Sequence, residues 1–223
     1  RFSQLQFEKN KAYYGNNHWI IKRNISVLAE SLKRAFIIRK DDFVSRSDAG
    51  QLVPERLWKI GRTDDDKLFN RKKRSEDSEF VIDVLIDSSG SQAGRQAQVA
   101  AQGYIISEAL SQAGIPHRVT GYCAFWGYTV LQRFRDYEDP RETNERIFQF
   151  RAYANNRDGL ALKTVCSSLM ERPEKNKILI VLSDGKPCDM SIQRPGTRQP
   201  KIYDGEGAVK DTAYEVRRAR NQG

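Results

Sequence analysis

The chain has 223 residues, of which 39% are hydrophobic and 30% are charged, a composition typical of a folded, water-soluble protein. No apolar stretch approaches the roughly 20 residues that a membrane-spanning helix needs, so we expect no membrane span. The formal net charge is +9, but the basic residues are interspersed with acidic ones. The one dense basic run, 71–74, has no interleaved aromatic residues, so we expect no specific nucleic-acid partner.

The cysteines and the chain ends bear on compartment and completeness. Cys123, Cys166 and Cys188 lie far apart, and none belongs to a C-x-x-C pair. We therefore expect reduced thiols and a cytoplasmic protein. The sequence begins without Met or a signal-peptide pattern, and it stops just after a helix, where an open sheet normally continues. We expect a piece of a longer protein that is truncated at its C-terminal end.

Residues 1–78 are predicted to form an N-terminal helical extension and a linker. Apolar residues recur at helical spacing between 17 and 40, which predicts one amphipathic helix. A short helical piece is predicted at 55–60, and the polar segment 63–78 is predicted to be the linker. The apolar stripe of the long helix consists of Ile21, Ile25, Leu28, Leu32 and Phe36.

Residues 79–223 alternate apolar strands with amphipathic helices, which predicts an α/β domain. The expected architecture is a Rossmann-like, mostly parallel open sheet with helices on both faces. Strands are predicted at 79–86, 118–125, 128–134 and 177–182, and helices at 93–113 and 160–170. Because only Trp126 and Gly127 separate the two middle strands, those strands should form a hairpin. The segment 139–150 is predicted to be helical after Pro140.

The end of the domain is predicted to contain a long irregular loop followed by a helix. The loop covers 184–205 and is rich in Gly, Pro and polar residues. The helix after it is expected to bury Val209, Ala213 and Val216.

Polar side chains follow the predicted strands at the points where those strands end. Asp87, Ser89 and Ser91 follow the first strand, Asp158 precedes a helix, and Asp184 follows the second fully apolar strand. Open parallel sheets bind ligands at the carboxyl ends of their strands, so we expect these oxygens to converge. Such ligands suit a hard cation, Mg²⁺ above all, although Mn²⁺ and Ca²⁺ accept the same oxygen ligands.

Each of these residues also has a simpler interpretation. Asp87 and Asp158 are both suited to capping the helix that follows, where Asp is favoured. Asp184 and Gly185 suit a plain turn. The role of Asp189 stays open between loop solvation and binding, and Asp83 has no evident role inside its apolar strand.

The motifs resemble those of von Willebrand factor A domains with a metal-ion-dependent adhesion site. Their D-x-S-x-S element corresponds to Asp87, Ser89 and Ser91, and their strand-ending Asp-Gly pair corresponds to Asp184 and Gly185. Members of that family usually have a threonine where this chain has Asp158. This departure resembles the bacterial branch that contains NorD-type activation proteins and CobT-type cobaltochelatase subunits. Two further features resemble the same branch: the run Ser-Asp-Gly-Lys-Pro-Cys-Asp at 183–189 and the later Tyr-Asp-Gly at 203–205.

The resemblance implies a metal-dependent protein-interaction module and not an enzyme. Members of that branch act with a MoxR-type AAA+ ATPase and help to activate a client metalloenzyme or load its metal. An aspartate at 158 would make three carboxylates around a dication, formally −1, so we expect tight metal binding and a weak demand for an acidic partner ligand. Two alternatives are a Mg²⁺-dependent phosphoryl-transfer enzyme that uses Asp87 and an adhesion-type ligand-binding domain.

Overall fold

The computed structural model describes residues 2–37, 43–47, 51–59, 62, 67–73, 80–125, 127–192 and 201–222. The chain divides into two compact units. The larger unit joins residues 1–32 to residues 79–223, and the smaller unit comprises residues 33–78. The predicted extension 1–78 is therefore divided, because its first helices belong with the α/β domain.

Two helices open the chain, α1 (Phe2–Asn16) and α2 (His18–Ile37). The predicted long helix is confirmed over 18–37, while its last predicted residues, 38–40, lie outside the described residues. Its buried positions are Ile21, Ile25 and Ala29, which follow the predicted stripe. Helix α1 was not predicted, because its apolar residues do not repeat on one face.

Asn10 fixes α1 to the main domain. Its side chain is fully buried, and its Nδ2 donates to the backbone oxygens of Phe148 and Phe150, at 2.9 Å each. A buried amide without partners costs free energy, so these two bonds define where the helix lies. The sequence offers no pattern that would reveal such a contact.

The smaller unit contains a three-stranded antiparallel sheet that the sequence did not predict. Its strands are β1 (Phe43–Ser47), β2 (Gln51–Leu52) and β3 (Phe69–Lys73), in the order β1-β3-β2. The helical piece predicted at 55–60 is found as a 3₁₀ helix, Pro54–Lys59. The strands escape prediction because two to five residues are too few to show an alternating pattern.

The main unit has the predicted α/β architecture, with a central sheet in the order β6-β5-β4-β7. Strand β4 pairs in parallel with both β5 and β7, and β5 forms the predicted antiparallel hairpin with β6. The region predicted to be helical after Pro140 is a 3₁₀ helix, Arg141–Gln149. The elements are β4 (Phe80–Asp87), α3 (Gln96–Ala113), β5 (His117–Phe125), β6 (Tyr128–Arg135), α4 (Asp158–Met170), β7 (Asn176–Leu182), β8 (Asp189–Ile192), β9 (Lys201–Tyr203) and α5 (Gly205–Gln222).

The segment after β7 differs from the prediction. Residues within the predicted irregular loop form an antiparallel pair, β8 with β9. Strand β7 is only half-buried, because within the described chain it pairs on one side alone, with β4. In α5 the buried residue is Ala208, whereas Val209 and Val216 are exposed. Helix α5 packs against α4, so its valines do not reach the core.

Asp83 receives a role that the sequence did not provide. All eight residues of β4 are buried, and Asp83 forms a two-bond ion pair with Arg118 of the neighbouring strand β5. The nitrogen–oxygen distances are 3.0 and 2.6 Å. The guanidinium also donates to Ser168 and lies over the Tyr137 ring. The pair thus links β4, β5 and α4 beneath the sheet.

No helix among the described residues is both long enough and apolar enough to cross a bilayer.

We expect Asp83→Ala to lower the free energy of unfolding by about 3–5 kcal/mol, because it leaves the Arg118 charge buried without a partner. Urea denaturation measures the change. Glu145→Ala, which removes the exposed partner of Lys11, is the control and should cost less than about 1 kcal/mol. Equal effects of the two substitutions would contradict this account.

Candidate functional site

The first segment of the site is the turn at the end of β4. Asp87 is fully buried, and its Oδ1 accepts a hydrogen bond from the backbone N of Ser89 at 2.8 Å. The hydroxyls of Ser89 and Ser91 lie 2.9 Å apart. Asp87 therefore shapes this turn, which presents both hydroxyls together beside the carboxylate. The predicted D-x-S-x-S group is thus assembled.

A close backbone contact holds this turn in place. Gly90 donates its backbone N–H to the carbonyl of Ala154 at 2.8 Å, and a side-chain carbon on Gly90 would lie 3.2 Å from that oxygen. Ala154 itself has a left-handed backbone, with φ of 61°. A non-glycine residue rarely adopts this conformation, so the surrounding contacts must hold it there.

The second segment carries Asp158, the first residue of α4. Asp158 is buried, and its Oδ1 accepts two hydrogen bonds, from the Tyr122 hydroxyl at 3.0 Å and from Asn156 Nδ2 at 2.9 Å. The residue that caps α4 is Arg157, which makes no capping bond through its side chain. Asp158 is therefore not the capping residue, and its side chain is held by Tyr122 and Asn156.

The third segment carries Asp184, which lies in a turn. Gly185 has a left-handed backbone with φ of 69°, and Lys186 donates its backbone N–H to Asp184 Oδ1 at 3.2 Å. The other oxygen of Asp184 lies 3.7 Å from Arg95 Nη2. Ser183, the residue before it, approaches Asp87 Oδ2 at 3.5 Å. The plain-turn interpretation thus describes the backbone here.

The three carboxylates influence each other electrostatically. Burial raises the pKa of Asp158 to about 6, and the charges of Asp87 and Asp184 act in the same direction. Burial also raises the pKa of Asp87, and Asp184 adds to it. Within the described ranges, no Lys or Arg forms an ion pair with Asp87 or Asp158. Two acidic groups are therefore buried near each other without a basic partner.

The structure does not bring all the predicted ligands into one cluster. Among the residues described, no three acidic, histidine or cysteine side chains lie close enough together to hold a metal ion. Asp184 lies beside Arg95, Asp87 bonds to the turn that carries the two serines, and Asp158 bonds to Tyr122 and Asn156. The binding of one ion by Asp87, Asp158 and Asp184 together stays a prediction. Two buried, unpaired carboxylates and two hydroxyls form a donor set that fits a hard divalent cation.

Tyr122 is the site residue that the sequence did not identify. Its ring is buried in the core. Its hydroxyl, however, donates to Asp158. The sheet register places Tyr122 on β5 opposite Asp87 on β4, a proximity that arises only when the strands pair. Trp126, which precedes Gly127 in the predicted hairpin turn, lies outside the described residues.

Asp189, whose role the sequence left open, is part of the support of the site. It is buried and forms an ion pair with Arg157, and it accepts a hydrogen bond from Asn155 at 3.2 Å. Asn156 bonds through its backbone and side chain to Cys188, at 2.9 Å in each case. The segment that carries Asp158 is therefore held by the segment 188–189.

A second close contact joins α5 to the start of α4. The Tyr203 hydroxyl donates to Asp211 Oδ2 at 2.6 Å, and a side-chain carbon on Gly159 would lie only 2.4 Å from that oxygen. Helix α5 can approach α4 this closely because residue 159 has no side chain. Asp211 thus has a specific partner in addition to its favourable place near the N-terminus of a helix.

Comparison with known proteins gives a consistent set of relatives. Residues 68–138 and 141–196 match the family model of the cobalamin biosynthesis protein CobT VWA domain. The chain is 24% identical over 167 residues to the uncharacterized protein YojO of Bacillus subtilis, which is 70% of this chain and 24% of that protein. It is 28% identical over 146 residues to protein NorD of Stutzerimonas stutzeri, which is 64% of this chain and 20% of that protein.

The chain thus spans about a quarter or less of the length of these curated relatives. Among solved structures, the open conformation of the pilus adhesin SpaC from Lactobacillus rhamnosus GG matches with a TM-score of 0.49 and 19% identity. That match covers 65% of this chain and 23% of the adhesin chain.

Divalent-metal affinity should depend on pH through Asp158, because a proton and a cation compete for the same carboxylate. With a pKa of about 6, Asp158 is ionised above pH 7 and protonated below pH 5. We expect Mg²⁺ affinity to be constant from pH 7 to 8 and to fall about tenfold per pH unit below pH 6. Calorimetric titration with Mg²⁺ measures this. A flat profile down to pH 5 would exclude Asp158 as a ligand.

We expect Asp189→Asn to weaken Mg²⁺ binding several-fold, because it removes the charge that holds Arg157 and loosens the segment carrying Asp158. The measurement is calorimetry, accompanied by a thermal unfolding curve to show that the protein stays folded. Asp136→Asn, which breaks an exposed pair with Arg133, is the matched control and should leave affinity unchanged. The same affinity in both variants would remove Asp189 from the support of the site.

Proposed function

Because the chain belongs to the cobalamin biosynthesis CobT VWA-domain family, we propose that it is a divalent-metal-dependent protein-interaction module. The module is an adaptor for a MoxR-type AAA+ ATPase in the activation or metal loading of a client enzyme in the cytoplasm. The family match and the similarity to protein NorD support this role.

The observation that carries the proposal is the buried pair Asp87 and Asp158 beside two serine hydroxyls. Each carboxylate lacks a basic partner among the described residues, and burial raises the pKa of both. A divalent cation would neutralise the pair, held by Asp87, Asp158, Ser89 and Ser91. When bound, it would supply Lewis acidity toward a further oxygen ligand. Two carboxylates and a dication are formally neutral, which leaves charge capacity for an acidic side chain of a partner.

Exposed apolar side chains surround the site and favour a protein partner. Phe125 and Tyr128, at the end of the β5–β6 hairpin, are 52% and 76% exposed, and Met190 is 55% exposed. Both Phe125 and Met190 are next in sequence to residues that support the site. Phe125 follows Ala124, which pairs with Asn155, and Met190 follows Asp189. Large apolar groups grouped at one edge of a domain are a usual feature of protein interfaces.

The groups around Asp87 favour binding over catalysis. They are the Ser89, Ser183 and Gln92 side chains, which are hydroxyls and an amide. None of them is a general base at neutral pH. His117 begins β5, at the opposite end of the sheet, where it is bonded to Ser107 and Ile115. In the part of the chain that the structure describes, the side chains hydrogen-bonded to Asp87 are therefore hydroxyls and an amide, and no histidine or lysine is among them.

The metal-binding part is tested by titrating the chain with Mg²⁺ in a calorimeter. We expect one site, and Asp87→Asn should weaken binding at least about tenfold, because it removes a charged ligand. Asp136→Asn should have no effect. Binding that is absent, or equally strong in Asp87→Asn, would overturn the proposed site.

The partner is tested by capture of a MoxR-type ATPase of the same organism on immobilised protein. Capture should occur with Mg²⁺, be lost with EDTA and be lost in Asp87→Asn. Capture that ignores EDTA would contradict a metal-dependent interface. Turnover of a small phosphoester that Asp87→Asn abolishes would replace the binding role with phosphoryl transfer.

A further inference from the structure

The two carboxylates of the site each have one oxygen already engaged by the protein. On Asp87, Oδ1 accepts the Ser89 backbone N–H at 2.8 Å, while Oδ2 lies 3.5 Å from the Ser183 hydroxyl, and the Ser89 and Gln92 side chains also act on the carboxylate. A hydrogen bond at 3.5 Å is at the limit of useful geometry. Asp87 thus has one oxygen committed to the turn and one that is available.

Asp158 likewise has one oxygen that accepts hydrogen bonds from the described residues and one that does not, and its engaged oxygen accepts two such bonds. Its Oδ1 accepts two donors, the Tyr122 hydroxyl at 3.0 Å and Asn156 Nδ2 at 2.9 Å. Among the described residues, none donates a hydrogen bond to its Oδ2. The committed oxygen is therefore saturated, and the other is the oxygen that a cation would meet.

Both donors are themselves fixed. The Tyr122 ring packs in the core with Leu85, Leu162 and Val165, so its hydroxyl cannot swing away without disturbing buried side chains. The Asn156 amide is oriented by the Cys188 backbone N–H, which donates to its Oδ1 at 2.9 Å. Because that oxygen is occupied as an acceptor, Nδ2 must face Asp158.

The size of the cation decides whether carboxylates that each offer one free oxygen can complete its ligand shell. Mg²⁺ takes six ligands in octahedral geometry, binds one oxygen per carboxylate and retains water. Ca²⁺ takes six to eight oxygens at longer distances and often binds both oxygens of a carboxylate. A bidentate contact with Asp158 would require Oδ1 to give up buried hydrogen bonds, which costs free energy.

We propose that Tyr122 and Asn156 are specificity-determining residues that limit Asp158 to one ligand oxygen and so favour Mg²⁺ or Mn²⁺ over Ca²⁺. The inference rests on the proposed metal-binding function and adds to it which ion the site selects. The backbone N–H of Ser89 imposes the same restriction on Asp87, in a form that side-chain substitution cannot remove.

The test is calorimetric titration of the chain with Mg²⁺, Mn²⁺ and Ca²⁺ separately, in wild type and in Tyr122→Phe. The readout is the ratio of the Ca²⁺ and Mg²⁺ dissociation constants, in which effects common to both ions cancel. Removing one hydrogen bond from Oδ1 should shift this ratio toward Ca²⁺ by about three- to tenfold. Mn²⁺ should change in parallel with Mg²⁺.

Tyr137→Phe is the matched control, because Tyr137 is a buried tyrosine that contacts Arg118 and Arg172 away from the site. It should leave the ratio unchanged. Asn156→Ala removes the second donor and provides an independent variant if Tyr122→Phe does not fold. It should shift the ratio in the same direction.

The outcomes separate the two proposals. If the wild type binds none of the three cations, the metal-binding function itself is wrong. If it binds Mg²⁺ but neither Tyr122→Phe nor Asn156→Ala changes the ratio, the selectivity role alone is overturned. An equal shift in Tyr137→Phe would also overturn that role, because it would indicate general loosening of the domain.

Discussion

The constraint on which the site depends is the burial of two carboxylates at the end of one sheet without a basic residue to pair with them. Asp87 ends β4 and pairs in register with Tyr122 on β5, and Asp158 is the first residue of α4. Desolvation raises the pKa of both, and their mutual repulsion adds to the cost. The free-energy cost of burying two carboxylates together must be compensated by another interaction. The binding of one doubly charged cation would compensate it.

The rest of the domain can be understood as the support for that pair. The turn after β4 is fixed by Gly90 against Ala154, and the segment 155–157 is held on one side by β5 and on the other by 188–189. The buried Asp83–Arg118 pair stiffens the same two strands farther down. Stability and binding geometry are therefore maintained by separate polar groups, so that either can be altered without the other.

Much of this arrangement follows from the sequence, and the remainder depends on long-range contacts. The apolar run of β4, the position of Asp87 at its end and the position of Asp158 at the start of a helix were predictable from periodicity and from the rule for open sheets. The hydrogen bond from Tyr122, the β8–β9 pair and the ion pair of Asp184 with Arg95 were not. They join residues whose proximity arises only after folding, and no local pattern encodes them.

The anchoring of α1 by Asn10 has a consequence for the order in which the domain matures. Asn10 is synthesised before its partners at Phe148 and Phe150, which follow 138 and 140 residues later. At usual rates of translation this delay is on the order of ten seconds. During that interval, the Asn10 amide lacks the two backbone oxygens to which it donates in the folded domain. The N-terminal helix is thus synthesised early and completes its docking late.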